Sequence, residues 1–159
     1  MKQQEFISII KANEGVIYKL TKIYADSIED KKDLYQEVVY QLWKSFPSFK
    51  GNSHVSTWMY RVALNTAIKF LSEKKRLQTT SKLPNEIVLY DEHYDSTTEL
   101  QLKLMYDSIK LLHPADKGLV FLYLEGKSHA EIAAITGFSV SNVGTRLSRI
   151  KERLKRQLK

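Results

Sequence analysis

The chain has no cysteine, only three prolines and six glycines, and no apolar run long enough to span a bilayer. Without cysteine there is no disulfide, no thiolate metal site and no thiol nucleophile, which fits a reducing cytosol. The first fifteen residues, MKQQEFISIIKANEG, have polar residues interrupting their apolar stretch, so they lack a signal-peptide core. A cytoplasmic location is the expectation. Internal repeats and low-complexity tracts are lacking too, and so is a catalytic constellation. The four histidines are scattered, and Asp91, Glu92, His93 and Asp95 are the one cluster resembling metal ligands. That cluster lies in an aperiodic stretch, so neither a metal, a cofactor nor an enzymatic activity is expected.

What is abundant is positive charge, and it is sorted along the chain. The net charge of +7 comes from Lys50–Arg76 at +5 and Val140–Lys159 at +6, against −4 over Leu77–Glu99 and zero elsewhere. Two separate cationic segments on a small protein imply two grips on a polyanion, with nucleic acid as the leading partner. A membrane surface is the competing reading for a basic helix, but no lipid-facing stripe accompanies these segments.

Apolar residues recur at helical rather than alternating spacing, which predicts an all-α fold. Phe6, Ile9, Ile10, Ile17, Leu20 and Ile23 predict one or two helices interrupted near Gly15; a further helix runs from Lys31 to Phe46, and a long one from Val55 to Arg76. Residues 77–98 mix Thr, Ser, Pro84 and acids without period and read as an acidic linker. The domains are therefore expected at 1–76 and 99–159. Halves of this size have little core to spare, so each should be a compact helical bundle.

In the carboxy-terminal half, Ser128 followed by Glu131 has the spacing of a capping box, which starts a short helix. Gly137 is suited to end it, and Ser139 or Ser141 to cap the next. Two helices joined by a short glycine-containing turn make a helix-turn-helix. Val143, Leu147, Ile150 and Leu154 then share one buried stripe. The opposite face carries Ser141, Thr145, Ser148, Arg149 and Arg156, flanked by Arg146, Lys151 and Arg153. Such a helix fits a B-DNA major groove, with Arg suited to guanine edges and flanking cations to phosphates. The competing reading is a solvated charged tail.

In the amino-terminal half, Leu34, Val38, Val39, Leu42 and Phe46 form an apolar face, with Trp43 at its edge; Asp33, Gln36, Glu37, Tyr40 and Lys44 line the other. That outer face is either solvated or a docking surface for protein. Farther on, Lys50, Gly51, Asn52, Ser53 and His54 form a loop, and Arg61, Asn65, Lys69, Ser72 and Arg76 a polar stripe headed by Trp58. A cationic stripe beside an aromatic suits single-stranded or opened DNA, whereas Trp58 is equally suited to core packing.

Asp33-Leu34-Tyr35-Gln36-Glu37-Val38, Leu42-Trp43, Phe49-Lys50-Gly51 with Ser53, and Thr57 through Ala63 with Asn65 resemble region 2 of the extracytoplasmic-function sigma factors of bacterial RNA polymerase. Gly126-Lys127-Ser128, Glu131-Ile132-Ala133, Gly137-Phe138-Ser139, Val143 and Arg146-Leu147-Ser148-Arg149 resemble their region 4. The resemblance implies a two-domain all-α sigma factor that directs promoter recognition, DNA melting and transcription initiation. Region 2 would hold the minus-ten element through Lys50, Gly51, Asn52, Ser53, His54, Trp58, Arg61, Asn65 and Lys69. Region 4 would read the minus-thirty-five element through Ser141, Asn142, Gly144, Thr145, Arg146, Ser148, Arg149 and Lys151. Asp33, Gln36, Glu37 and Tyr40 would dock on the β′ clamp helices of core RNA polymerase, with the β flap as a further contact, and an anti-sigma factor is a common partner in that family. Gly144 departs from the Lys or Arg frequent there, and His54 and Val55 from more usual small and aromatic residues, so promoter sequence does not carry over.

A stand-alone helix-turn-helix regulator binding duplex operators explains the carboxy-terminal half equally well but leaves the second cationic stripe and the Trp58 loop without a role. An adaptor that binds polymerase without DNA specificity is the remaining reading.

Overall fold

The computed structural model describes residues 2–49, 54–81 and 97–157, with side chains of 78–81 excepted. Among these residues every regular element is a helix: α1 Lys2–Ala12, α2 Glu14–Tyr24, α3 Ile28–Ser45 with a 3₁₀ turn at Phe46–Ser48, α4 Val55–Ser81, α5 Thr97–Lys110, α6 Pro114–Leu124, α7 His129–Thr136 and α8 Val140–Gln157. The all-α expectation holds. Lys50–Ser53, the Asp91–Asp95 cluster and residues 82–96 of the expected 77–98 linker lie outside the described residues, whereas the ends of that linker are helical, 77–81 in α4 and 97–98 in α5.

Helix boundaries differ from the sequence expectation for local reasons. The first break, expected near Gly15, falls at Asn13, whose amide donates to the Ile9 carbonyl at 2.7 Å and competes with the helical ladder. Helix α3 starts at Ile28, not Lys31, since the Ser27 hydroxyl accepts from Asp30 N at 3.0 Å and Glu29 and Asp30 complement the helix dipole. Helix α4 continues five residues past Arg76, to Ser81.

Helices α2, α3 and α4 build the amino-terminal bundle around Leu20, Ile23, Leu34, Val38, Leu42, Met59 and Ala67. Each large aliphatic side chain removed from water here contributes about 1.5–3 kcal/mol. Asp30 pairs with Lys74 at 2.8 Å and ties α3 to α4. In the carboxy-terminal unit α6 is central. Gly118, Leu119, Val120, Phe121 and Leu122 are all buried, so this helix is covered on more than one side. It contacts α8 and α7 on one side and α2 and α4 of the amino-terminal bundle on the other. The two units consequently share one continuous core, in which Ile109, Leu119 and Leu122 join Leu20 and Leu64.

Candidate nucleic-acid and polymerase interface

The helix-turn-helix assembles as its sequence dictates. Ser128 Oγ accepts from Glu131 N and Glu131 Oε1 accepts from Ser128 N, both at 3.1 Å. Hydrogen bonding to the carboxylate by the Ser128 backbone N–H first and by its hydroxyl second holds the Glu131 carboxyl below its ordinary value, against a smaller opposing effect of burial and with smaller help from Lys127 and His54. Gly137 ends α7 at φ +86°, a left-handed conformation that glycine adopts without strain. Ser139 then caps α8, its hydroxyl accepting from Asn142 N at 3.1 Å.

On α8, Val143, Leu147 and Ile150 are buried, and Leu154 is half-buried. Ser141, Asn142, Thr145, Ser148, Arg149 and Lys151 are exposed. Gly144 is half-buried beside the His129 ring. Arg146 is engaged within the unit, donating to Asp116 Oδ1 at 3.1 Å with its guanidinium 4.5 Å from the centre of the Phe138 ring. Lys151 lies 4.1 Å from the Tyr123 ring centre. Arg149 and Arg153 face an open cleft of about 450 Å³ together with His113 and Asn142. His113 was not singled out from the sequence. It belongs to the cap of α6, where its Nδ1 accepts from Ala115 N at 3.3 Å, and the one sequence signal was a histidine directly before a helix-starting proline.

On α4, Arg61, Asn65, Lys69, Ser72 and Arg76 are all exposed, as their spacing requires. Trp58 is half-buried, with its ring 5.9 Å from Phe46 and 5.2 Å from Phe49. It therefore supports the chain that enters α4 while retaining an exposed part. His54 is exposed and its carbonyl accepts from Trp58 N at 3.1 Å. Asn65 and Lys69 line an open groove of about 620 Å³ between α3 and α4, with Val62 and Phe70 supplying apolar walls. Glu37 and Gln41 form the opposite bank, and Gln41 Nε2 donates to Glu37 Oε1 at 3.0 Å. Asp33, Gln36, Glu37 and Tyr40 form a continuous exposed face on α3, with the Tyr40 ring 54% exposed.

A helix-turn-helix with an open reading face, set on the same molecule as a second helix bearing an exposed cationic stripe, defines a two-module nucleic-acid-binding protein. Residues 9–77 match Sigma-70 region 2 and residues 102–154 match Sigma-70, region 4. The chain is 32% identical over 136 residues to RNA polymerase sigma factor YlaC of Bacillus subtilis, an alignment covering 82% of this chain and 79% of that one. It is 31% identical over 149 residues to the ECF RNA polymerase sigma-E factor of Haemophilus influenzae, covering 83% and 76%. The fold is similar to the sigma factor RpoE of Bartonella quintana solved with the anti-sigma factor NepR, at a TM-score of 0.74 and 20% identity over 98% of this chain and 95% of that one. CnrH, solved with the cytosolic domain of CnrY, gives 0.72 and 17% over 98% and 88%. The chain belongs to the extracytoplasmic-function sigma factors of the sigma-70 family.

Proposed function

We propose that this sigma factor directs core RNA polymerase to promoters by gripping DNA at two places with different chemistry. The exposed α8 face, Ser141, Asn142, Thr145, Ser148 and Arg149, reads the minus-thirty-five element as duplex. The α4 stripe, Arg61, Asn65 and Lys69 with Trp58 and the 50–54 loop, holds the opened minus-ten strand. The single observation that carries this reading is that both cationic segments present their polar residues on one exposed helix face each, over separate buried stripes.

Asp33, Gln36, Glu37 and Tyr40 are the docking face for the β′ clamp helices, and the carboxy-terminal unit meets the β flap. The protein contributes binding and strand selection; polymerase carries the chemistry. That assignment places it in the cytoplasm with its polymerase, and no helix among the described residues is long and apolar enough to cross a membrane. The solved structural neighbours are complexes with an anti-sigma factor or a partner's cytosolic domain, which supports a protein inhibitor for this chain as well.

Reconstituted transcription tests the proposal. Core polymerase supplemented with the chain is expected to initiate at a defined start site on host promoter DNA. Tight operator binding by the chain alone, with no start-site selection by the supplemented polymerase, would instead identify a stand-alone regulator.

A further inference from the structure

Lys117, in the first half of α6, is the one charged side chain buried among the described residues, at 5% exposure. It lies 5.7 Å from the centre of the Tyr24 ring and makes no hydrogen bond or ion pair with any described residue. No buried side-chain nitrogen among these residues lacks a partner, so the partnerless Lys117 ammonium must itself reach water. Its stem is packed and its head stands at the surface, as long cationic side chains arrange themselves. Tyr24 is fixed in turn, its hydroxyl donating to the Pro114 carbonyl at 2.7 Å. The point at which the ammonium emerges is thus set by packing.

Three further charges surround that point. Asp26, in the turn between α2 and α3, pairs with Lys110 at the end of α5 at 3.5 Å. Lys75 of α4 is exposed. Burial first and the Lys75 charge second lower the Lys117 pKa, with Asp26 opposing and Lys110 adding to the fall, so all three groups act on the ammonium. Three ammonium groups therefore face one carboxylate, an excess of two positive charges. A cation on a packed stem with no partner is costly, and an apolar side chain of similar length would fill the space without that cost. An anion at the surface point reverses the balance.

We infer that Lys117, Lys110 and Lys75 form a site for a dianionic phosphate, either inorganic phosphate or the terminal phosphate of a phosphate monoester. The charge excess matches the nearly two negative charges of such a group at neutral pH, whereas each phosphate of a DNA strand carries one. Ammonium groups suit it as compact donors of three N–H bonds each, converging on a tetrahedral set of oxygens from α4, α5 and α6. None of the three lysines belongs to the faces assigned to DNA or to polymerase, so the site is separate from those readings. A ligand held by three helices of the folded chain alone stabilises it.

The test uses the full chain at neutral pH and reads thermal melts in sodium phosphate, with sodium chloride at equal ionic strength as the reference and sodium acetate as a carboxylate probe. The melting temperature is expected to rise with the logarithm of phosphate concentration once the site fills, and to do so with adenosine monophosphate too. The larger of these two shifts tells a nucleotide from free phosphate. Acetate is expected to match chloride. Lys117→Met keeps the packed stem, and Lys75→Gln alters an exposed side chain. Each should weaken the apparent phosphate affinity about tenfold, the loss expected for one charge-assisted hydrogen bond. Lys11→Gln, at an exposed position of α1, should leave it unchanged. Each variant is compared with its own melt in chloride, so altered baseline stability does not enter.

A phosphate shift that is unaltered in Lys117→Met or in Lys75→Gln would overturn the proposal by placing the ion on another cationic surface. So would an acetate shift as large as that of phosphate, or no phosphate shift beyond that of chloride. If circular dichroism finds Lys117→Met unfolded, Lys75→Gln and Lys110→Gln decide in its place. A short single strand without a terminal phosphate is the remaining probe. A Lys117-dependent shift as large from that strand as from adenosine monophosphate would overturn the assignment to a phosphate monoester.

Discussion

Arg146, on the helix expected to enter the major groove, is held by Asp116 of α6 at 3.1 Å and stacks on Phe138 of the turn. One arginine thus ties the turn and second helix of the helix-turn-helix to α6. Arg149, one turn away, is exposed at the cleft that His113 and Arg153 share. Arg146→Ala is accordingly expected to lower the stability of the carboxy-terminal unit by about 1–2 kcal/mol, the sum of a partly exposed ion pair and a cation–π contact. Its effect on DNA binding should be the same for every sequence. Arg149→Ala should leave the melting temperature unchanged and cost about 1–3 kcal/mol in promoter affinity, with preference relaxed at one base pair if it reads an edge. Thermal melts beside anisotropy titrations on promoter variants separate the two.

Trp58 has one foot in the core, through Phe46 and Phe49, and one at the head of the α4 stripe. Trp58→Ala should destabilise the amino-terminal bundle by about 2 kcal/mol, less than the roughly 3–5 kcal/mol of a fully buried aromatic. Trp58→Phe keeps most of the packing, and Asn52→Ala changes a residue proposed to hold the minus-ten strand. All three variants are expected to bind core polymerase normally and to impair promoter opening, read as reduced permanganate reactivity of melted thymines. Normal melting in Trp58→Phe together with reduced thermal stability would reduce Trp58 to a packing residue.

The turn of the helix-turn-helix offers a purely conformational test. At φ +86° Gly137 is in a region where any Cβ is strained, so Gly137→Ala should destabilise the carboxy-terminal unit by about 1 kcal/mol. Ser128→Ala removes one half of the capping box and should cost about 0.5–2 kcal/mol. The Glu131 carboxyl, held below its ordinary value, adds a pH signature. Its contribution is complete above the unfolded carboxyl pKa near 4.5 and disappears as pH falls through the lower folded value. Melts of Glu131→Ala and wild type are expected to draw together in acid, whereas the Ser128→Ala defect, which rests on the hydroxyl accepting from Glu131 N, should largely persist.

Much of this molecule is legible in sequence because its signals are local. The Ser128–Glu131 box, the Gly137 stop and the Val143, Leu147, Ile150 stripe each depend on residues within two helical turns, and each is realised in place. The α4 stripe is legible for the same reason. What sequence spacing could not reveal is long-range pairing. Arg61 meets Ala134, Arg146 meets Asp116 and Lys127 meets Ser56, and no periodicity within one helix encodes a partner in another. Helix α6 was likewise opaque. Buried on several sides, it carries no amphipathic pattern to reveal that it packs against both units at once.

The shared interface also has an alkaline signature, because two of its phenols are hydrogen-bonded within it. Tyr60 is pushed up to about 12, first by burial, then by the charge and hydrogen bond of Glu125. Tyr24 is raised by burial and secondarily by Asp116. For an acid whose folded pKa exceeds its unfolded value, the stabilisation is complete below the unfolded value, near 10 for tyrosine, and is lost as pH rises through the folded one. Tyrosinate absorbance should therefore show a late-titrating fraction, and the shared core should lose stability between about pH 10 and 12. Lys117 acts in the opposite sense. It lies 5.7 Å from the Tyr24 ring centre, and burial lowers its pKa, assisted by Lys75 and Lys110 and opposed by Asp26. Loss of its proton relieves a cost of burying this lysine as pH rises. Lys117→Met removes that compensation and its neutral-pH penalty together. The variant is expected to be more stable than the wild type at pH 7 and to lose stability over a steeper alkaline transition, which thermal melts across the titration check directly.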